Sequence, residues 1–406
     1  MRRTLAHSAS NVIDRIARFN AGREPERLAL KFRAMRGSAF AFLRATAHLF
    51  WEDWHASYRG LAEAPLVWAT GDLHLENVGS FLGDNRLVYF DLNDFDEGTL
   101  APATWELGRF LTSVHIAAKS LEISNTDAGE LVTTFLDAYC AALTDGKARW
   151  VERAVATGMV RELLDNVKGR TRETLLDTRT IFGRRRRQLR VDSRRALEIE
   201  KRDRERVAAA IERFGQSMPE PRFFKVLDVA RRVAGTASLG VRRYVVLVRG
   251  TGSPDGNWLL DLKEARPSAL TPFVDLAQPS WPNDAERIVR IQHRMQAISP
   301  ALLRAVELHG AHFVLRELQP TEDRLALEHW HRKLGRLCKV MTTIGHLVAW
   351  AQLRSSSRDG SASTDDLIAF AAQRRWRREL VRAAADYSKR VERDWREFKR
   401  ASKEVS

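Results

Sequence analysis

Two acidic segments, each placed directly after a short apolar run, constrain this chain more than any other feature of its sequence. The run 66–69 leads into Gly-Asp-Leu-His-Leu-Glu-Asn at 71–77, and the run 87–90 leads into Asp-Leu-Asn-Asp-Phe-Asp-Glu at 91–97. The apolar runs predict the two strands of a hairpin, which would bring the acidic segments together. Carboxylates crowded at adjoining strand ends repel one another, and a bound cation relieves that repulsion. The pattern therefore predicts a cation site.

Phosphoryl transfer uses the same set of side chains. Kinases have a catalytic-loop Asp that accepts the proton of the attacking hydroxyl, an Asn that binds magnesium, and a second Asp that binds the metal. Asp72 and Asn77 stand five residues apart, and either Asp91 or Asp94 supplies the later carboxylate. We therefore predict that Asp72 is catalytic and that Asn77 binds Mg²⁺ together with Asp91 or Asp94.

His74 and Asp96 are expected to support this site. A zinc-deaminase role for His74 needs a Pro-Cys-x-x-Cys partner, which the chain lacks. We expect His74 to orient the catalytic loop through a hydrogen bond, and Asp96 to act next to the metal ligands. The structural alternative is a polar hairpin in which Asp, Asn and Gly only form turns.

A glycine-rich segment at 233–240, Val-Ala-Gly-Thr-Ala-Ser-Leu-Gly, precedes a predicted strand that carries Lys263. Kinases cover the nucleotide phosphates with such a loop, and a strand Lys, held by a Glu of the next helix, pairs with the phosphates. An ordinary glycine-rich hairpin is the alternative, since Ala237 replaces the middle glycine. Glu286 is the candidate helix Glu, and its alternative role is a first-turn residue favoured by the helix dipole. The predicted nucleotide-binding residues are Gly235, Ser238, Gly240, Lys263 and Glu286, and Lys263 is also predicted to be catalytic.

The acidic segments resemble the aminoglycoside phosphotransferase and choline kinase branch of the protein-kinase-like superfamily. The matching positions are Asp72, Asn77, Asp91 or Asp94, and Trp105-Glu106-Leu107-Gly108-Arg109-Phe110. The chain differs at Thr70, where that branch has His, and at Glu106, where it usually has Asp. The resemblance implies a two-lobe α+β fold, with a mostly helical large lobe and a small β-rich lobe that binds ATP with Mg²⁺.

The chain also resembles a bacterial family of proteins with a domain of unknown function, DUF2252, along nearly its whole length. The shared motifs are MRGSAFAFLR at 35–44, the segments 71–79 and 93–97, DVARRVAGTASLG at 228–240, Lys263-Glu264-Ala265, and the stretch 370–387. This resemblance implies a common fold, and a common fold does not supply a substrate.

The order of the two functional segments differs from that in kinases, where the glycine loop and the Lys precede the catalytic loop. We therefore predict a circularly permuted kinase-like fold. Residues 1–215 form its helical catalytic lobe, 216–325 its nucleotide lobe, and 326–406 the helices that return to the large lobe. Closeness of Lys263 to Asp94 tests this arrangement.

Hydrophobic periodicity locates the main elements. The predicted helices include 38–55, 105–120, 127–143, 150–167 and 284–298. The predicted strands of the small lobe are 226–233, 242–248, 258–263 and 313–318.

Charge and composition limit the function classes. The 406 residues include 67 Lys and Arg against 52 Asp and Glu, a net charge of +15 that suits an anionic acceptor or partner. Apolar stretches fall short of the roughly 20 residues that a bilayer span needs, so we expect no membrane span. The N-terminus lacks an apolar signal region, so we expect a cytoplasmic protein.

Arginines concentrate between residues 168 and 206. This segment fits either a phosphate-bearing partner such as nucleic acid or a solvated helix laced with salt bridges. The second interpretation is favoured, because no nucleic-acid-binding motif accompanies the arginines.

The leading hypothesis is a Mg²⁺-dependent phosphotransferase that uses ATP and acts on an unidentified acceptor. Nucleotidyl transfer by the same residues is a variant of it. The alternatives are a non-catalytic kinase-like binding or scaffold protein, and a metal-dependent hydrolase built on the 72–96 cluster alone. The hydrolase would not need Lys263, so it predicts that this residue lies far from the cluster.

Overall fold

The computed structural model describes residues 11–183, 186–234, 239–252, 255–320 and 323–401. Helices and antiparallel strands are mixed along the chain, which confirms the predicted α+β class. A body of helices shares a large apolar core, and a six-stranded sheet carries two smaller apolar clusters, one on each face.

The helices begin with capping side chains in several places. Ser363 and Asp366 form a complete capping box, which satisfies backbone N–H groups that the first helical turn leaves unbonded. No helix among the described residues combines the length and the apolar content needed to cross a bilayer. The helices are α1 (Val12–Phe19), α2 (Pro25–Gly37), α3 (Ala39–Ala45), α4 (Ala47–Ser57), α5 (Ala103–Ser120), α6 (Asn125–Asp145), α7 (Gly158–Val167), α8 (Arg172–Arg179), α9 (Lys201–Gln216), α10 (Asp284–Met295), α11 (Leu334–Arg354), α12 (Thr364–Ala372) and α13 (Arg375–Ala401).

The strands of the described residues form four antiparallel sheets. They are β1 (Leu66–Ala69), β2 (Val78–Leu82), β3 (Val88–Leu92), β4 (Thr99–Pro102), β5 (Val151–Glu152), β6 (Thr180–Phe182), β7 (Arg187–Leu189), β8 (Ala196–Leu197), β9 (Val226–Arg232), β10 (Arg243–Val248), β11 (Trp258–Glu264), β12 (Arg304–Leu308), β13 (Ala311–Glu317) and β14 (Asp323–Arg324). The largest sheet has the order β12-β13-β11-β10-β9-β8, the second has the order β14-β2-β3-β5, and β1 pairs with β4 and β6 with β7.

Both faces of the six-stranded sheet carry buried apolar residues. On one face, Val246, Leu260 and Leu262 pack against Val207 and Ile211 of α9. Successive side chains of a strand point to opposite faces, so the residues between them face the other way. The strands predicted near 226–233, 242–248, 258–263 and 313–318 are confirmed.

The opposite face is apolar over only part of its area. Val245, Leu247 and Leu259 are covered by Leu176 of α8 and Leu189 of β7. The arginine-rich segment thus contributes α8, the paired strands β6 and β7, strand β8 and the start of α9, so the expected helix or helical linker covers only part of it. Strand β8 pairs with β9, and helix α9 packs on one face of the sheet. The six-stranded sheet and its apolar cluster therefore include residues before position 216.

Helix α5 is buried along most of its length and anchors the helical body. Gly108 allows this helix to lie against the indole ring of Trp54, because a Cβ at position 108 would overlap that ring. Interiors are close-packed, so such a contact leaves no room for an added methyl group.

The predicted pairing of the two apolar runs is wrong. β1 pairs with β4, in the register Val67 to Ala101, while β3 pairs with β2, in the register Ser80 to Phe90. The hairpin is therefore β2–β3, and the first acidic segment connects β1 to it.

Two predicted helices are also different in the structure. The segment 38–55 is broken at Thr46, which has φ −128° and ψ 42°, so α3 and α4 are separate helices. In 150–167, the short strand β5 precedes α7, which begins at Gly158. The helices predicted at 105–120 and 127–143 are confirmed as α5 and α6, and 284–298 is confirmed as α10.

Glycine-to-alanine substitution in two helices tests the packing of α5. Gly108→Ala should destabilise the protein by about 1–3 kcal/mol, because the new methyl group meets the buried Trp54 ring. Gly129→Ala in α6 is the matched control, since no atom lies within 4 Å of its added Cβ; it should raise the free energy of unfolding by up to about 1 kcal/mol. Denaturant unfolding measures both, and equal effects of the two substitutions would contradict the proposed contact.

Candidate functional site

The two predicted functional segments meet in a cleft beside the six-stranded sheet. Lys263 Nζ lies 3.9 Å from Asp94 Oδ1 and forms a closer ion pair with Asp96 Oδ2. Lys263 belongs to β11, whereas both aspartates follow β3. The expected closeness of Lys263 and Asp94 is therefore observed.

The cleft has two adjoining parts of different charge, which share Asp94 and Asp96. We call them the arginine pocket and the acid pocket. The charged lining of the arginine pocket is Arg232, Arg243, Lys263, Arg316 and Arg324 with Asp94, Asp96 and Asp261. The charged lining of the acid pocket is Asp72, Asp94, Asp96, Glu97 and Glu264 with Arg23 and Arg266.

The two acidic segments are joined through their backbones. Gly71 has a φ of +75°, and a Cβ at this position would overlap the carbonyl oxygen of Glu97. The side-chain amide of Asn77 donates to the carbonyl oxygens of Asp72 (3.1 Å) and Asp94 (3.3 Å). Asn77 thus bridges the segments with its NH₂ group and keeps its oxygen, Oδ1, for another partner.

Arg109 of α5 holds Asp72. Its Nε and Nη2 donate to the same carboxylate oxygen, Oδ1, at 2.9 and 2.6 Å, and Nη2 also donates to the Leu43 carbonyl at 2.7 Å. Burial raises the pKa of Asp72 to about 6, despite the opposing effect of Arg109. Sequence reasoning missed this partner; an Arg within the otherwise apolar run of α5 was the available signal.

The Lys263 ion pair affects its two aspartates differently. Desolvation in the cleft acts to raise the pKa of Asp94, but Lys263, the Asp96 N–H, Arg316 and Arg243 together outweigh it, and the pKa falls below the ordinary value. Burial raises the pKa of Asp96, where the nearby Asp94 charge adds to the effect and Lys263 opposes it. Asp94, whose side chain is 50% exposed, is therefore the more strongly ionised of the two.

Arg287 of α10 fastens both functional segments to one helix. It donates to the carbonyl oxygens of Gly98 (2.5 Å), Asp96 (2.9 Å) and Arg266 (2.8 Å). The first two belong to the acidic segment, and the third follows the Lys263 strand. No sequence motif identified this buried arginine, although it stands on a predicted helix.

Glu286, the predicted partner of Lys263, occupies a different position. Its carboxylate pairs with Arg290 (3.2 Å), and its backbone N–H is capped by the Asn283 side chain (2.9 Å). Ile288 and Gln292, four residues apart, are the α10 side chains that line the arginine pocket. Glu286 is two residues from that line, so the helical repeat turns it away from the pocket. These contacts are those expected of a Glu in the first turn of a helix, and they do not include Lys263.

The two strand-end carboxylates also have different surroundings. Asp91 is buried on β3, accepts a hydrogen bond from the Leu92 N–H (2.8 Å) and lies 3.5 Å from Arg354 of α11. Burial raises its pKa. Of the two predicted ligands, Asp94 lies beside Lys263, and Asp91 is engaged by Arg354.

His74 shapes the turn that carries Asn77. Its Nδ1 accepts the Glu76 N–H at 3.1 Å, and its carbonyl accepts the Asn77 N–H at 2.8 Å. Burial, together with Arg44 and Arg109, lowers its pKa well below the ordinary value. A neutral ring is what an accepting Nδ1 requires.

The end of the glycine-rich segment contacts α2. Gly240 has a φ of +91°, while Gly235 and Ser238 lie outside the described residues. Arg23 donates to the Leu239 carbonyl (3.2 Å), and Arg27 donates to the carbonyl of Val241 (2.8 Å). Sequence reasoning did not connect these N-terminal arginines to the segment.

The two departures from the kinase-like pattern are partners of each other. The Thr70 hydroxyl donates to Glu106 Oε1 at 2.6 Å, and the Thr70 N–H donates to the same oxygen at 2.5 Å. Both residues are buried. The Glu106 carboxylate thus accepts hydrogen bonds from a hydroxyl and an N–H group directly before the first acidic segment.

The predicted Mg²⁺ site must be judged by its oxygen donors. In the described part of the chain, no group of three or more His, Cys, Asp or Glu side chains could hold a metal ion. Mg²⁺ usually takes one or two protein carboxylates and completes its shell with waters and substrate phosphates. Asn77 Oδ1 is buried and has no hydrogen-bond partner among the described residues, and the NH₂ group of the same side chain donates to the backbone carbonyl of Asp94, whose side chain lines the cleft. These donors fit Mg²⁺ that is bound together with a phosphate ligand.

Comparison with known proteins identifies the family to which the chain belongs. The family model described as "Uncharacterized protein conserved in bacteria (DUF2252)" matches residues 23–401. The chain therefore belongs to the DUF2252 family, which confirms that resemblance. No curated protein and no solved structure matches the chain.

Stability as a function of pH tests the burial of Glu97, which accepts a hydrogen bond from the Ala269 N–H. Burial raises the pKa of Glu97 from 4.5 to about 7. The folded state therefore binds the proton more tightly than the unfolded chain, and wild-type stability falls as pH rises through this range. Glu97→Gln stays neutral, so it should be more stable than wild type by up to about 3 kcal/mol at pH 8 and equal to it near pH 4.

Thermal unfolding without added Mg²⁺ measures this difference between pH 4 and pH 8. Exposed Glu220 supplies the control substitution Glu220→Gln, which should show no pH-dependent difference from wild type. A Glu97→Gln curve parallel to the wild-type curve would show that Glu97 is ionised without penalty.

Proposed function

We propose that the protein is a magnesium-dependent phosphotransferase that uses ATP and transfers its terminal phosphoryl group to an acceptor hydroxyl. The observation that carries this proposal is the contact of Lys263 with Asp94 and Asp96, in a cleft where Asn77 bridges Asp94 to Asp72. A strand Lys, a catalytic Asp, an Asn and a second Asp are the parts that phosphoryl transfer requires.

Each residue has a defined role in this proposal. Asp72, ionised above its pKa of about 6, accepts the proton of the acceptor hydroxyl. The acceptor oxygen forms a bond to the terminal phosphorus while the bond to the bridging oxygen breaks, and ADP leaves. Lys263 pairs with the phosphates, and Mg²⁺ held by Asn77 and Asp94 would neutralise charge on the phosphate oxygens.

The chain order of the small lobe supports a permuted kinase-like fold. The glycine-rich segment joins β9 to β10, the Lys stands on the next strand, β11, and helix α10 follows before β12 and β13. Kinases arrange the glycine loop, the Lys strand and the next helix in that order. Here the catalytic segment at 71–77 comes first in the chain.

Two alternatives are weighed by the same contacts. The hydrolase hypothesis expects Lys263 to be remote from the acidic cluster, and the 3.9 Å distance to Asp94 speaks against it. A scaffold protein would not need an uncommitted oxygen on the buried Asn77 side chain. Phosphate release that depends on Asp72 separates the enzyme from the scaffold.

Calorimetric titration with ATP tests the donor site. Wild-type protein should bind ATP only with Mg²⁺ present, and Lys263→Ala should weaken binding at least about tenfold, because the phosphates lose a direct positive partner. Exposed Lys225, in the same lobe, provides the control Lys225→Ala, which should bind as wild type does. ATP binding that is absent in wild type, or unchanged in Lys263→Ala, would contradict the proposal.

Asp72→Asn tests the proton acceptor separately from binding. The variant should bind Mg-ATP within about threefold of wild type and release phosphate at least about 100-fold more slowly, since general-base catalysis typically contributes that much. Phosphate release from ATP is measured, with water as the surrogate acceptor. Asp84→Asn, in the exposed turn between β2 and β3, is the control and should keep the wild-type rate. Wild-type turnover by Asp72→Asn would exclude Asp72 as the base.

A further inference from the structure

The cleft-facing end of the six-stranded sheet carries charge where the other parts of the sheet are apolar. Asp261 and Lys263 follow Leu259 at alternate positions of β11, so the three side chains share a face. Arg243 is the cross-strand neighbour of Lys263, and Arg316 is the cross-strand neighbour of Asp261. Four neighbouring positions on this face are thus ionisable.

Asp261 gathers three guanidinium groups. Arg243 donates to both carboxylate oxygens, Nε to Oδ1 at 2.8 Å and Nη2 to Oδ2 at 2.5 Å. Arg232 approaches Oδ2 to 2.6 Å, and Arg316 approaches it to 3.4 Å. Asp261 is 1% exposed, and these arginines, against the effect of burial, hold its pKa well below the ordinary value. The single carboxylate of Asp261 is therefore the shared ion-pair partner of three guanidinium groups.

The arginine pocket as a whole has excess positive charge. Its lining has five cationic side chains and three carboxylates, which leaves two positive charges in a partly enclosed space. Cations removed from water are stabilised by a bound anion. Planar guanidinium groups match phosphate oxygens in bidentate geometry, which favours a phosphate over a carboxylate of lower charge.

Among the described residues, charged side chains outnumber the apolar ones that the arginine pocket offers to a nucleotide base, which are Phe95, Ala234, Ile288 and Val314. The apolar part of the same sheet face, Val245, Leu247 and Leu259, is already covered by Leu176 and Leu189 of the arginine-rich segment. Ligand sites that hold an aromatic ring are lined mostly by apolar side chains. The part of the face that lines the cleft is the charged cluster around Asp261 together with Val314, the cross-strand neighbour of Lys263.

We propose that the arginine pocket recognises its phosphoryl donor by the triphosphate chain, with the base left outside the pocket, so that inorganic polyphosphate binds in place of ATP. This inference rests on the phosphotransferase proposal and names the donor class of the same site. The triphosphate chain is the shared chemistry; a nucleotide and an inorganic polyphosphate are its two sources.

Competition experiments on the wild-type protein test this inference without any substitution. With Mg²⁺ present, inorganic tripolyphosphate should displace ATP with a Kd within about threefold of that of ATP, and GTP should bind as ATP does. Adenosine should not compete at millimolar concentration. If adenosine competes, or if tripolyphosphate binds more than about 100-fold more weakly than ATP, a base pocket exists and the inference is wrong, while the phosphotransferase proposal stands.

Substitution of Arg316 tests the cluster itself. Arg316→Gln should weaken tripolyphosphate binding at least about tenfold, because one direct phosphate partner is lost. The control is Arg304→Gln, at an exposed position of neighbouring β12, which should leave the affinity unchanged. Arg243→Gln is the second cluster variant, and thermal unfolding checks that each variant is folded. A folded Arg316→Gln and a folded Arg243→Gln that both bind tripolyphosphate as wild type does would overturn the inference.

The outcomes separate the two proposals. Tripolyphosphate binding without turnover of ATP or tripolyphosphate supports the anion site and contradicts the phosphotransferase. Turnover that depends on Lys263, together with strong selectivity for the adenine base, supports the phosphotransferase and contradicts recognition by the triphosphate chain alone. A wild-type protein that binds neither compound would contradict both.

Discussion

Burial of the acidic segments depends on cations supplied by three distant elements. Arg109 from α5 holds Asp72, Lys263 from β11 pairs with Asp94 and Asp96, and Arg287 from α10 binds backbone carbonyls on both sides of the cleft. Carboxylates taken out of water need such partners, because their isolated charges are costly in a protein interior. The helical body and the six-stranded sheet are therefore joined at the place where the acidic residues lie.

Local patterns predicted the elements better than their pairing. Strands β9, β10 and β11 are six or seven residues long and rich in Val, Leu and aromatic residues, so their existence follows from the sequence. β1 has four residues, and its partner β4, Thr-Leu-Ala-Pro, has little strand character. The pairing of such short strands is set by tertiary contacts. The prediction paired β1 with the run 87–90, which is nearer to it in sequence than β4 and more apolar, and this pairing is wrong. The break at Thr46 likewise left no Pro or Gly signal.

Within the site, sequence spacing identified the candidate ligand-binding residues and missed the residues that hold other protein groups in place. Asp72, Asn77, Asp94 and Lys263 were predicted from known arrangements of catalytic groups. The fold brings Asp72, Asp94 and Lys263 into one cleft, and Asn77 donates to the backbone carbonyls of Asp72 and Asp94. Arg109 and Arg287 contact protein groups only, so no ligand chemistry points to them. Glu286 was chosen for its residue type, whereas the helical phase of Ile288 and Gln292 determines what faces the cleft.

The hydrogen bonds between Thr70 and Glu106 make these two positions interdependent. Both side chains are buried, so a change at one position alone leaves a polar group without its partner and away from water. A single substitution at either position therefore lowers stability. The two residues can be exchanged without this loss only together, for side chains that bond each other.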